Sequence, residues 1–182
     1  MWQRCQMPKR FEGARQMKRV LLKLSGEALA GDKKTGFDEE TCIGVANQVK
    51  QLVDQGIQVA IVTGGGNFWR GRTSETIDRT KADQIGMLAT VMNCIYVSDI
   101  FRHVGMKTEV FTPFVCGAFT SLFSKDAAVA AMESGKVIFL PEEPDTRIFL
   151  QIQELSCVRS RLKQMRCFWQ KQLMGSMTVI QR

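Results

Sequence analysis

Short apolar runs alternate along the chain with longer segments whose apolar residues recur at helical spacing. The apolar runs predict four buried strands, within KRVLLKL (18–24), IQVAIVT (57–63), KTEVFT (107–112) and KVIFL (136–140). The helical spacing predicts helices over DEETCIGVANQVKQLVDQG (38–56), DRTKADQIGMLATVMNCIYVSDIFRHVG (78–105) and SKDAAVAAMESG (124–135). Alternating strands and helices indicate an α/β fold, in which helices cover both faces of a mostly parallel sheet.

The composition is that of one globular domain, with 45% hydrophobic and 24% charged residues among 182. No apolar run reaches the ~18 residues of a spanning helix, and the start lacks a signal-peptide pattern. We therefore expect a cytoplasmic protein without a membrane partner. The six cysteines form no CxxC pair, which supports neither a zinc site nor a disulfide framework. We expect no resident metal and no tightly bound cofactor.

The net charge of +7 raises the question of nucleic-acid binding. The excess of basic residues lies in 1–23 and in 157–182, while the middle of the chain is nearly balanced. Because the two ends are unusual for other reasons given below, we expect no nucleic-acid partner.

A glycine turn follows the first predicted strand, in KLSGEA (23–28). Gly26 lets the backbone approach a ligand closely, and the amides of such a turn can hold phosphate oxygens. Lys23 lies just before the turn, where an ammonium group could balance the charge of a transferring phosphoryl group. Taken alone, the motif slightly favours an ordinary strand-to-helix turn with a solvated lysine.

A second glycine cluster, GGGNFWRGR (64–72), follows the second predicted strand. Three consecutive glycines cost backbone entropy and bring no packing benefit, so the close approach of a ligand is the simplest explanation. Arg70 and Arg72 would suit an anionic ligand, although a tight turn remains an alternative. The chain lacks both the P-loop and the dinucleotide-binding fingerprint. In open α/β sheets ligands gather at the carboxyl ends of the strands, where both clusters are predicted to fall.

Asp83 lies near the start of the long predicted helix, where its carboxylate could accept hydrogen bonds from sugar hydroxyls. Without other context it would be a helix-start carboxylate stabilised by the dipole.

Three segments together resemble the bacterial uridylate (UMP) kinases of the amino-acid kinase superfamily. They are KRVLLKLSGEAL, LVDQGIQVAIVTGGGNFWRGR and DRTKADQIGMLATVMN, and the resemblance runs from Met17 to about Phe139. It implies a three-layer α/β/α sandwich of the amino-acid kinase (carbamate kinase-like) fold. It also implies transfer of the γ-phosphoryl group of MgATP to UMP, giving UDP in pyrimidine nucleotide biosynthesis. Members of this family are cytoplasmic homohexamers that UTP commonly inhibits.

The resemblance assigns expected roles to individual residues. The positions expected to contact ATP are Lys23, Ser25, Gly26, Gly66 and Arg70, those expected to contact UMP are Gly65 and Asp83, and the catalytic cations are Lys23 and Arg70. Catalysis would rest on positioning and on cationic charge stabilisation.

The family pattern stops at residue 140. Its next parts, a glycine-threonine-glycine loop over UMP and a DGVY segment at the ATP site, are absent from 141–182. Pro141 to Gln153 can be back-translated to codons that, entered at the third base of Pro141, encode GGTGHPYFSTDT, the missing loop. One T restored before the codon for Leu140 turns VIFLPE into VIFSAGG.

Two constrained codons support this frameshift. The last base of Met174 and the first two of Gly175 force the glycine of DGVY, and Trp169 with Gln170 forces an alanine that fits the family. We therefore interpret 17–140 as the N-terminal part of an amino-acid kinase domain, C-terminally truncated, and 141–182 as an out-of-frame tail. Residues 1–16 are interpreted as a translated leader or extension, because EGARQM can encode a ribosome-binding sequence before Met17.

The intact gene product and this 182-residue chain are expected to differ in activity. We expect the 182-residue product to bind UMP or ATP weakly at best and to have little kinase activity. A non-catalytic nucleotide-binding or subunit-interaction fragment is the alternative.

Overall fold

A computed structural model describes residues 19–69, 77–142 and 177–179 of the chain. The six strands of this part are β1 (Arg19–Leu24), β2 (Gln58–Thr63), β3 (Lys107–Thr112), β4 (Ser121–Leu122), β5 (Lys136–Pro141) and β6 (Met177–Val179). Its four α-helices are α1 (Gly26–Ala30), α2 (Glu39–Asp54), α3 (Arg79–His103) and α4 (Lys125–Glu133), and a 3₁₀ turn (Gly31–Lys33) follows α1.

The described strands form one sheet in the order β4-β3-β5-β2-β1-β6. Strands β1 to β5 pair in parallel, with Leu24 opposite Thr63 and Thr63 opposite Pro141 at their carboxyl ends. The predicted mostly parallel α/β sheet is thereby confirmed. The sequence pattern did not predict the two-residue strand β4 or the single turn α1, which are too short to show a period.

Three residues of the segment after residue 140 join the sheet, because β6 pairs antiparallel with β1 through Leu22↔Val179 and Leu24↔Met177. An edge strand leaves the N–H and C=O groups on its outer side unpaired. Another segment can pair with them through its own backbone, and such pairing depends little on its side chains.

Helices cover both faces of the sheet. On one face α2 and α3 pack against alternate strand residues such as Leu22 and Ile61, around the fully buried Phe101 and Phe139. On the other face Met132 of α4 packs in a cluster with the remaining strand residues. Side chains alternate between the two faces of a strand, so continuously apolar strands fit a sheet buried on both sides. The three-layer arrangement is confirmed.

The long helix α3 meets the length and hydropathy of a membrane-spanning helix, with a mean hydropathy of 1.3 in its most apolar window. Its buried side chains, including Cys94, Val97 and Phe101, belong to the core cluster against the sheet. Packing inside an α/β domain therefore explains the apolar side chains on the buried side of the helix.

Two cysteines are fully buried beside the sheet, Cys42 on α2 and Cys94 on α3. Burial raises the pKa of the Cys94 thiol to about 12, against which a hydrogen bond with Thr63 acts weakly. Burial, with the nearby carboxylates of Asp38 and Glu39, raises the pKa of the Cys42 thiol to about 11. Both thiols therefore stay protonated near neutral pH and behave as core side chains.

Candidate functional site

The two glycine turns lie side by side at the carboxyl edge of the sheet. The parallel register of β1 and β2 brings their last residues, Leu24 and Thr63, opposite each other. The pairing continues one step into the turns, since the amide of Gly64 donates to the carbonyl of Leu24 at 3.0 Å. The prediction that both glycine clusters fall at strand carboxyl ends is confirmed.

Gly26, the first residue of α1, is buried against the second turn. A Cβ atom at this position would lie 2.5 Å from Asn67 Oδ1, 2.7 Å from the carbonyl oxygen of Gly64 and 2.8 Å from the amide nitrogen of Gly66. Two of these atoms belong to the backbone and cannot rotate away. Only glycine therefore lets the two turns approach this closely.

Gly64 and Gly65 are also confined by the protein itself. A Cβ at Gly65 would lie 3.1 Å from Ala89 Cβ and 3.1 Å from the carbonyl oxygen of Gly86, both on α3. A Cβ at Gly64 would lie 2.9 Å from a carboxylate oxygen of Glu142. The expectation that these glycines bring no packing benefit was therefore wrong for Gly65, which lets the turn pack closely on α3. At Gly64 the near neighbour is the flexible side chain of Glu142, which belongs to the segment interpreted as out of frame.

Gly66 differs from the other glycines of the turn. A Cβ there would have Glu27 Cγ as its nearest described neighbour at 3.5 Å, which is ordinary van der Waals contact. The positive φ angles among the described glycines lie elsewhere, as at Gly56 and Gly135 (79° each). Within the described part of the chain, neither crowding nor a left-handed backbone thus requires glycine at position 66.

Two buried asparagines fix the second turn to α3. Asn93 Nδ2 donates to Asn67 Oδ1 at 2.7 Å, and Asn67 Nδ2 donates to Asn93 Oδ1 at 3.1 Å. Asn93 Nδ2 also donates to the carbonyl of Gly64 at 2.5 Å, and Asn67 Nδ2 donates to that of Gly36 at 2.8 Å. Buried amides with these partners hold the turn in one geometry. Asn93 was missed in the sequence because a polar residue on a helix gives no local sign of what it contacts.

Lys23 points from the end of β1 toward the carboxyl edge of β5. Its ammonium group forms an ion pair with Glu142 Oε1, and the two side chains are 37% and 38% exposed. The Glu142 amide donates to the carbonyl of Thr63 at 2.8 Å, which fixes the carboxylate beside the second turn. Lys23 is therefore partly exposed and has an anionic partner in this chain.

The remaining predicted residues are placed differently. Ser25 occupies the N-cap position of α1, where the described residues show no cap hydrogen bond from its side chain.

Asp83 is exposed and pairs with Arg79 at 3.6 Å, one turn back along α3. It lies three residues before Gly86, about 4.5 Å along the helix axis from the contact with Gly65. The helix-start carboxylate is instead Asp78, which accepts from Thr80 and Lys81. Arg70 and Arg72 lie outside the described residues.

A cavity lies at the opposite, amino-terminal edge of the sheet. Residues lining it include Gly56, Gln58, Glu133 and Lys136. The length of the strands separates this cavity from both glycine turns. We place the candidate site at the carboxyl edge because the glycine turns and Lys23 lie there, although the cavity is at the other edge.

Comparison with protein families gives a match over most of the chain. Residues 18–148 match the model described as the Amino acid kinase family. The match ends within the first residues of the segment interpreted as out of frame.

Solved structures give a consistent result. The chain is similar to the UMP kinase from Bacillus anthracis, with a TM-score of 0.64 and 35% identity over 68% of this chain and 52% of that one. It is also similar to the UMP kinase from Ureaplasma parvum, with a TM-score of 0.64 and 28% identity over 69% of this chain and 56% of that one. The chain thus spans about half the length of these two kinases.

Proposed function

The chain belongs to the amino acid kinase family, and from that premise we propose that its gene encodes a UMP kinase. The reaction is transfer of the γ-phosphoryl group of MgATP to UMP, giving ADP and UDP for pyrimidine nucleotide synthesis. The magnesium ion enters as part of the MgATP substrate. The similar structures from Bacillus anthracis and Ureaplasma parvum, both UMP kinases, support this choice within the family.

The observation that carries the proposal is the pairing of two glycine turns with one lysine at the carboxyl edge. Crowding explains the glycines at 26 and 65, but with respect to the described residues Gly66 has room for a side chain beside Glu27. A glycine that the protein's own packing does not require is accounted for by the close approach of a ligand. Lys23 supplies positive charge at the same edge.

The proposed residue roles are those that the resemblance to the uridylate kinases implies. Lys23, Ser25, Gly26, Gly66 and Arg70 are proposed to contact ATP, and Gly65 and Asp83 to contact UMP. Phosphoryl transfer needs the two nucleotides held in line and the charge on the transferring oxygens balanced. Lys23 and Arg70 are proposed to balance that charge. The Asn67–Asn93 pair holds the backbone of the second turn in place while the nucleotides are exchanged.

The tail beginning at residue 141 is proposed to be the same gene in a shifted reading frame. The GGTGHPYFSTDT loop and the DGVY segment are missing from the 182-residue chain, so we propose that its activity is impaired or absent. Residues 17–140 form the kinase part under this proposal, and 1–16 are a translated leader or extension.

An apolar stripe on α3 supports self-association. Ile85, Leu88, Met92 and Ile95 recur at helical spacing on its outer side and are 38–53% exposed. We propose a cytoplasmic homo-oligomer, a hexamer for the intact kinase, with UTP as an inhibitor. Sedimentation equilibrium of the chain tests self-association, and a monomer at micromolar concentration would count against it.

A nucleotide titration followed by amide NMR tests the proposed site. Millimolar UMP or MgATP should shift the amide signals of Gly26, Gly64 and Gly66, because weak binding still perturbs the backbone that touches the phosphates. The signals of Gly56 and Gly135, at the opposite edge, should stay in place. Uridine, which lacks the phosphate, is the matched control and should have a smaller effect.

The same titration, with turnover measured beside it, distinguishes the proposed kinase from the alternative. A non-catalytic nucleotide-binding fragment predicts the same signals but no turnover even after the reading frame is restored. Absence of any shift at the carboxyl edge with either nucleotide would contradict both proposals.

A further inference from the structure

The carboxylate of Glu142 lies where an anionic ligand would meet the two turns. One of its oxygens pairs with Lys23, the cation at the end of β1. The other lies 2.9 Å from the position of a Cβ on Gly64, and that same position is 3.6 Å from the amide nitrogen of Gly26. The carboxylate therefore sits between the turn after β1 and the turn after β2.

The backbone keeps this carboxylate in place. The amide of Glu142 donates to the carbonyl of Thr63 at 2.8 Å and so extends the pairing of β5 with β2 by one residue. The side chain therefore begins at a fixed point beside the site and has only a short distance to span to Lys23. A carboxylate tethered in this way has a high local concentration at the ammonium group.

We infer that Glu142 acts as an internal anion that competes with phosphate groups for Lys23 and the glycine turns. Phosphate must displace the carboxylate from Lys23 and then lie close to a like charge. Both side chains are more than a third exposed, so the ion pair is weak and the carboxylate lowers affinity without closing the site. This inference rests on the proposed phosphate site and identifies Glu142 as a residue that weakens phosphate binding there.

Glu142→Gln tests the inference, because it removes the charge and keeps the shape. Titration of the full chain with inorganic pyrophosphate, followed through the amide signals of Gly26 and Gly66, should show about two- to tenfold tighter binding than in the unmodified protein. Glu133→Gln is the matched control. It removes the same charge from the ion pair with Arg19 at the amino-terminal edge, and it should leave the affinity unchanged.

The outcomes separate the inference from the proposed function. Equal pyrophosphate affinity for Glu142→Gln and the unmodified chain overturns the inference and leaves the phosphate site standing. Equal gains for Glu142→Gln and Glu133→Gln also overturn it, because net charge alone would then explain the effect. Binding by neither protein overturns the inference together with the proposed site.

Discussion

Insertion of one T before the codon for Leu140 should raise the ATP–UMP turnover of the gene product at least ~100-fold above that of the 182-residue chain. The inserted base replaces the tail with the sequence that begins VIFSAGG and continues through the loop GGTGHPYFSTDT, as the back-translation predicts. Reacting groups misplaced by about 1 Å can cost 10²-fold in rate, and here a whole nucleotide-contacting loop is missing. A coupled assay for ADP formation measures the difference.

A three-base insertion at the same point is the matched control. It adds one residue to β5 but keeps the present reading frame, so turnover should stay as low as in the unmodified chain. Near-normal turnover by the unmodified 182-residue chain would contradict the proposal that its activity is impaired. A restored frame without any gain in turnover would contradict the assignment as a UMP kinase.

Gly26→Ala should lower the free energy of unfolding by about 1–3 kcal/mol, as expected for a side chain forced into a packed site. The new Cβ would lie 2.7 Å from the carbonyl oxygen of Gly64 and 2.8 Å from the amide nitrogen of Gly66, so the two turns must move apart. The same displacement should abolish the amide shifts caused by UMP and MgATP. Urea unfolding measures the first effect and the nucleotide titration the second.

Gly44→Ala serves as the control for the same chemical change. Gly44 lies inside α2, and a Cβ there would meet no atom within 4 Å. Alanine should therefore stabilise the helix by roughly 0.5–1 kcal/mol and leave nucleotide binding intact. A Gly26→Ala protein as stable as Gly44→Ala, with unchanged nucleotide shifts, would show that close contact between the turns is unimportant.

The strands and long helices could be predicted because their signals are local. β3 (Lys107–Thr112) has the predicted bounds, and α2 and α4 begin directly after Asp38 and Ser124, whose side chains cap them. Each helix is followed within two residues by a glycine with positive φ, Gly56 or Gly135, as predicted from the glycine positions. These features depend on neighbouring residues in the chain.

The contacts that build the candidate site could not be predicted, because they join distant parts of the chain. The sequence placed the glycines correctly but did not show that Gly65 also packs closely on α3. Asn93 lies 26 residues from Asn67, and Glu142 lies 119 residues from Lys23. The tertiary packing of strands, turns and helices brings such residues together, and periodicity within one element carries no information about it.

We propose that the chain is the first part of a UMP kinase whose message slips by one base at residue 140. Sequencing the gene across the codons for Ile138 to Arg182 tests this proposal. We expect the frame entered at the third base of Pro141 to be open and to encode GGTGHPYFSTDT, followed by a segment containing DGVY. Codons whose shifted frame encodes an unrelated sequence, or soon meets a stop, would contradict it.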